Sequence, residues 1–210
     1  MTLTINTILL AGMLTGFASG NGQNSTQAES NTRSPAVETG VAVKKLSDSI
    51  WYVYQDKKNN LWFGSNGQGV FRYDGKTIRN FTTKHGLYND SLRQILEDKS
   101  GNMFFSTLGG INKFDGERFT TLVPLKSKDW KLEKNDLWLY MLGKRDEHGP
   151  YRYDGKNITH YPVTVGSKNV NLVSMYKDNQ GNLWLGTPEN GVYKFDGNKF
   201  EKFNPESKKV

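Results

Sequence analysis

The densest group of side chains able to move protons or hold charge is Lys144-Arg145-Asp146-Glu147-His148, between Gly143 and Gly149-Pro150. Acid–base chemistry on a glycan or similar substrate needs two carboxyls, or a histidine and a second base, converging on one bond. Only Asp146, Glu147 and His148, with Glu189 from a later connection, offer those groups in a plausible setting. The expectation is a polar ligand-binding loop made of Lys144, Arg145, Asp146, Glu147 and His148, with Glu189 nearby. The competing reading is a solvated, self-neutralising hairpin tip, since Lys144 and Arg145 sit beside Asp146 and Glu147. No nucleophile motif and no Gly-rich phosphate cradle accompanies the loop, so no catalytic residue is assigned and the chain is read as a binding module before an enzyme. There are no cysteines, which removes thiolate and Cys-based metal chemistry. Each Asp-bearing turn offers one carboxylate, without the spacing of a calcium loop. No metal or cofactor is implied.

These residues need a scaffold, and the scaffold is a repeat. A basic residue followed by aromatic-Asp-Gly occurs four times: Arg72-Tyr73-Asp74-Gly75, Lys113-Phe114-Asp115-Gly116, Arg152-Tyr153-Asp154-Gly155 and Lys194-Phe195-Asp196-Gly197. The aspartates are 41, 39 and 42 residues apart, a period that signals a solenoid or propeller. Around each triplet four short strands are expected. In the last copy these are 171–176, Leu183–Thr187, Gly191–Phe195 and Lys199–Phe203, with a tight turn at Asp178–Asn182. The aromatic-Asp-Gly is expected to make a type I′ hairpin turn with two positive-φ positions. Asn59 or Asn60 is expected to replace the turn glycines Gly101 and Gly181. A meandering sheet this small cannot bury both faces alone. Stacking sheets about an axis solves that problem. Trp62, Phe104, Trp138 and Trp184 on the second strands, with the third-strand aromatics, then become packing between sheets. The basic residue before each aromatic is expected on the opposite strand face, as a solvated group or an ion-pair partner. His85 is read as structural at a repeat joint, and His160 as packing on, or pointing away from, a fourth strand.

The fold expected is all-β, a β-propeller of four four-stranded blades (about 50–90, 91–122, 129–161 and 170–203), or a half-propeller that pairs with a second copy. The third copy departs from the pattern. From second-strand Trp138 to third-strand Tyr153 it takes 15 residues, against 11 in the first and last copies. The turn before Trp138 is also shortened. Insertions in repeats map to loops on one face, often the binding face.

Residues 5–17 are mostly apolar and too short to span a bilayer, and Ala18-Ser19-Gly20 suits signal cleavage. A signal peptide is expected over 1–20, a disordered linker over 21–45, propeller repeats over 46–205 and a tail over 206–210. Where a lipoprotein signal would carry cysteine the chain has Phe17, so no lipid anchor is expected. Mean hydropathy is −0.68 and net charge +7, all of the excess falling after residue 49. Scattered lysines favour a solvated surface over a nucleic-acid patch.

The run Lys84-His85-Gly86-Leu87, then Ile95-Leu96-Glu97-Asp98-x-x-Gly101-Asn102, a strand ending in Ser-Thr or Gly-Thr, and Gly-aliphatic-x-basic-aromatic-Asp-Gly resembles the two-component regulator propeller repeat. The resemblance covers about residues 46–203. It implies a β-propeller of the kind found in periplasmic sensory parts of histidine kinases, often tied to carbohydrate sensing. No kinase or transmembrane segment follows here, so the expectation is a free-standing, exported, periplasmic or surface binding module. Its partner would be a protein or a glycan, with no nucleic acid and no membrane anchor, and with homodimerisation open. The alternatives are a carbohydrate-active lyase or hydrolase on a propeller scaffold, and a degenerate fragment of a larger sensor propeller.

Overall fold

The protein's structure, a computed structural model, describes residues 40–142, 148–165, 168–197 and 199–205. Nineteen strands form four blade sheets and one small hairpin. Blade one contains β1 (Val41–Val43), β2 (Ile50–Gln55), β3 (Leu61–Ser65), β4 (Val70–Tyr73) and β5 (Ile78–Phe81), in the order β1-β5-β4-β3-β2. Blade two is the antiparallel run β6 (Leu92–Glu97), β7 (Met103–Thr107), β8 (Gly110–Phe114) and β9 (Phe119–Leu122). Blade three contains β10 (Leu125–Lys126), β11 (Leu137–Tyr140), β12 (Pro150–Tyr153) and β13 (Ile158–His160). The hairpin β14 (Thr164–Val165) and β15 (Lys168–Asn169) leads to blade four: β16 (Ser174–Lys177), β17 (Leu183–Thr187), β18 (Gly191–Phe195) and β19 (Phe200–Lys202). The architecture is the all-β propeller type expected from the repeat.

The four blades are not identical. Val41–Val43 pairs antiparallel with β5 as a fifth, outermost strand, so the last residues assigned to the linker belong to the first sheet instead. In blade three the strand expected at the inner edge is missing. Leu125–Lys126 instead pairs parallel with β13 at the outer edge. The segment between turns inward and inserts Trp130 against Trp138, Tyr161, Phe195 and Phe200, with ring centroids 4.9–6.0 Å apart.

A carboxylate locks each tryptophan whose preceding turn is intact. Asp56 accepts from the backbone N–H of Lys58 and Asn60 and from the indole N–H of Trp62, the last at 2.7 Å. Asp178 does the same for Gln180, Asn182 and Trp184. Asp98 holds the equivalent turn in blade two, where Phe104 has no N–H to give. Blade three has lost that turn, and the Trp138 indole N–H is buried without an acceptor. Asn59 takes the left-handed conformation that Gly101 and Gly181 take elsewhere.

The aromatic-Asp-Gly hairpin differs from its expected form. Only the glycine has positive φ, Gly75 at 91° for example. The aspartate sits one position earlier, where Asp74 accepts from the N–H groups of Lys76 and Thr77. The turn is therefore a four-residue loop closed by an Asx interaction and not a two-residue type I′ turn.

Burial follows the blade junctions. One apolar cluster joins blades one and two through Trp62, Phe81, Phe105, Phe114 and Phe119. A second joins two and three through Phe104, Ile111, Leu139, Tyr151 and Tyr153. A third joins three and four through Trp138, Tyr161, Leu185, Tyr193 and Phe195. Among the described residues no apolar cluster joins blade four to blade one.

Removing the Asp56 carboxylate by Asp56→Ala strands the buried Trp62 N–H and two backbone donors, a loss of about 2–3 kcal/mol. Asp98→Ala strands no indole and is expected to cost about 1 kcal/mol. Urea denaturation of the two variants checks the ordering. A pH series checks the same carboxylates. Hydrogen bonds from Trp184 and Asn182 hold Asp178 down at about 2, from an ordinary 3.8. Backbone N–H groups of Thr77 and Asn157 likewise lower Asp74 and Asp154. A carboxyl lowered by folding contributes stability that is complete above its unfolded pKa and is lost as pH falls. The melting temperature is therefore expected to hold above about pH 5 and to drop between about pH 4 and pH 2, less so in Asp178→Asn.

Candidate functional site

The loop expected to bind ligand falls mostly outside the description. Lys144, Arg145, Asp146 and Glu147 lie outside the described residues. The main-chain carbonyl of His148 lies 3.0 Å from Nε2 of His160. His160 is buried and stacks on Tyr151 at 4.6 Å. Glu189 is exposed in the connection between β17 and β18. His85 caps the short 3₁₀ turn Thr83–His85, with Nδ1 accepting from the Thr82 N–H, which is the structural role expected of it.

The basic residues before the aromatic-Asp-Gly triplets cover rings, which the sequence reading did not anticipate. Arg72 sits 5.5 Å above Trp62, Lys113 lies 5.7 Å from Tyr153 and Lys194 lies 5.5 Å from Trp184. Arg152 is the exception, forming a forked ion pair with Asp136. That interaction raises the Arg152 pKa still further.

The inner edge carries the best-developed polar cluster. The pairing of β2 with β3 shifts between Ile50 and Tyr52, and that of β6 with β7 shifts between Leu92 and Gln94. A shift of this kind leaves one extra residue and re-aims its side chain. The two extra residues are Trp51 and Arg93, at equivalent positions of blades one and two. The Arg93 guanidinium lies 4.7 Å over the Trp51 ring, and Trp51 is 54% exposed. Nη1 of Arg93 donates to the Leu92 carbonyl at 2.8 Å. Its Nε is buried without a partner, and among the described residues no carboxylate pairs with it.

Blade three closes the cluster from the other side. Tyr140 ends β11, and its hydroxyl lies 2.8 Å from that of Tyr52 and donates to the Arg93 carbonyl at 3.2 Å. Its backbone N–H donates to Gln94 Oε1. Burial first, and then the Tyr52 hydroxyl, push the Tyr140 phenol well above its ordinary pKa, so it remains a neutral donor. Met141 and Leu142 follow Tyr140, and in the sequence the expected binding loop begins directly after them. A cation, an open indole and neutral hydroxyls can hold a polar ring bearing negative charge by stacking and hydrogen bonding. The cluster contains no acid–base pair.

A groove of about 600 Å³ lies between blades three and four, at the turns, lined by Glu133, Lys134, Lys177, Asp178 and Asp196 among others. Two of its charged groups are already engaged. Asp178 holds Trp184, and the Lys177 ammonium donates to the Glu133 carbonyl.

The two component regulator propeller family matches residues 44–67 and 165–189. Histidine kinase P4 of Formosa agariphila is 28% identical over 175 residues, covering 73% of this chain and 12% of the kinase. The extracellular domain of a hybrid two component system of B. thetaiotaomicron superposes with a TM-score of 0.55 at 17% identity, over 73% of this chain and 23% of that one. Virginiamycin B lyase from Staphylococcus aureus superposes with a TM-score of 0.58 at 15% identity, over 77% of this chain and 57% of the lyase. At those identities the structural likenesses establish the fold alone. No helix among the described residues is long and apolar enough to cross a membrane. Two stretches of the chain match the two component regulator propeller repeat, and its four blades carry the propeller fold of these neighbours.

Proposed function

We propose that this chain is an exported recognition module of the sensory-propeller kind, and that it engages an anionic glycan at the inner edge of the blades. The observation that carries the reading is Arg93, buried, without a carboxylate partner among the described residues, and held over the half-exposed ring of Trp51. A buried cation is costly unless something offsets its charge. A uronic-acid-type sugar presents a carboxylate to the guanidinium and a ring face to the indole. The Tyr52 and Tyr140 hydroxyls add neutral hydrogen-bonding groups. The relatives support this reading, since they include a histidine kinase and extracellular parts of two component systems. Export fits the apolar N-terminal stretch and those extracellular relatives.

An array of neutral and acidic polysaccharides, followed by titration of the best binder, tests the proposal. Trp51→Ala is expected to weaken binding by about 10- to 100-fold, the range for loss of an aromatic stacking platform, with little change in melting temperature. Binding should also weaken as salt rises, because the guanidinium attracts charge. Unchanged affinity in Trp51→Ala, with loss on deleting residues 144–148, moves the site to the loop. Capture of a protein with no glycan bound replaces the glycan by a protein partner.

A further inference from the structure

Blade four leaves open the face that the other blades bury. Register makes the counterparts explicit. Trp62 pairs with Tyr54 and Arg72 across blade one, and Val70 pairs with Phe81. In blade four Trp184 pairs with Tyr176 and Lys194, and the Phe203 N–H donates to the Val192 carbonyl. Tyr176, Trp184, Val192 and Phe203 thus repeat Tyr54, Trp62, Val70 and Phe81. Blade two covers the first set, and Trp62 is 1% exposed. Nothing described covers the second set, and Tyr176 is 63% exposed.

Blade one exposes β2 on its opposite face, where Phe71 of β4 is itself buried at 4%. Val53 pairs with Phe63 there, as Ile95 pairs with Phe105 in blade two. Ile95 is 5% exposed beneath blade one, while Val53 is 64% exposed. The molecule therefore carries both halves of a blade junction, one at each end of the arc.

The two halves also match in chemistry. At the junction of blades two and three, Lys113 reaches the ring and hydroxyl of Tyr153, and Phe104 packs on the same ring at 4.7 Å. The counterparts on the open faces are Lys194 and Trp184 on blade four, and Tyr73 on blade one. Tyr73 and Tyr153 hold one posture, each hydroxyl donating at 2.8 Å to the glycine carbonyl two residues on.

We infer that two copies of this chain join head to tail, blade four of each on blade one of the other, to close one eight-bladed ring. Lys194 and Trp184 of one copy pack on Tyr73 of the second, twice, about a two-fold axis. Such an interface is heterologous in its surfaces yet closes after two chains.

Light scattering of the full chain after size exclusion, at about 50 µM, where even a micromolar interface is mostly formed, is the test. The expected mass is twice the 23.8 kDa of the chain. Val53→Lys on blade one and Tyr176→Lys on blade four are each expected to give monomer with an unchanged circular dichroism spectrum. Val192→Lys provides a second blade-four variant should Tyr176→Lys fail to fold. Mixing the blade-one and blade-four variants is expected to restore a two-chain species, because one junction between them keeps both native faces. A monomeric wild type overturns the proposal. So does a dimer that survives Val53→Lys, which would place two blade-four faces on each other. Species that lengthen with concentration would mean head-to-tail growth without closure, and also overturn it.

Discussion

A four-stranded meander with rings on both faces cannot stand alone in water, and every other feature of this chain follows from that constraint. Each sheet needs a neighbour on each side. Trp62 is buried because Phe105 and Phe114 of blade two lie against it, at centroid distances of 5.3 and 5.8 Å. Blade two in turn depends on blade three for Phe104. Stability therefore travels along the arc from junction to junction, and the terminal faces are where it runs out. The repeat sequence encodes the same sticky face in each copy whether or not a following copy exists to cover it.

The aspartate turn refines that packing. An indole is large enough to seal a junction, but its N–H must find an acceptor when buried. The carboxylate that organises the preceding turn supplies one, so turn formation and blade stacking are a single interaction at Asp56 and at Asp178. Blade three shows what happens when the turn is lost. Trp138 keeps its place with an unsatisfied N–H, and Trp130 arrives from the displaced segment to fill the space. The cost at the indole is offset by a second large ring at the same junction. Asp136, just before β11, is redirected to Arg152.

The repeat was legible because packing needs the same residue types at the same offsets in every copy. The aromatic-Asp-Gly spacing identified the blades, and the alternation of the strands identified the ring-bearing faces. The break in the third copy was visible in its spacing, but the structure adopted there could not be read. Leu125–Lys126 adds a parallel strand at the outer edge of blade three, while the inner strand is missing and Trp130 packs at the junction. Trp51 and Arg93 were missed for a related reason. In an alternating strand they look like ordinary outward residues, and only the register shift, a property of the pairing and not of either strand, turns them to the inner edge. The Asp-Gly turn was misread because Asp can satisfy a turn through its side chain as well as through a positive φ.

The inner edge and the open faces are connected through the same strands. Trp51 and Val53 alternate on β2, so the strand that presents the indole beside Arg93 also presents the uncovered face of blade one. Two residues before Met175, the blade-four counterpart of Val53, lies Val173, 47% exposed. Within the chain, the blade-two residue at this position lies over the blade-one residue, as Arg93 lies over Trp51. Joining blade four to blade one would extend that relation and set Val173 against the other side of the indole. An open arc leaves Trp51 with a cation on one side and solvent on the other. A closed ring would give it a guanidinium above, an aliphatic wall beside it and a continuous inner rim. Ligand recognition at the axis and association of the blades would then share one residue, and each would favour the other without a conformational change beyond closure.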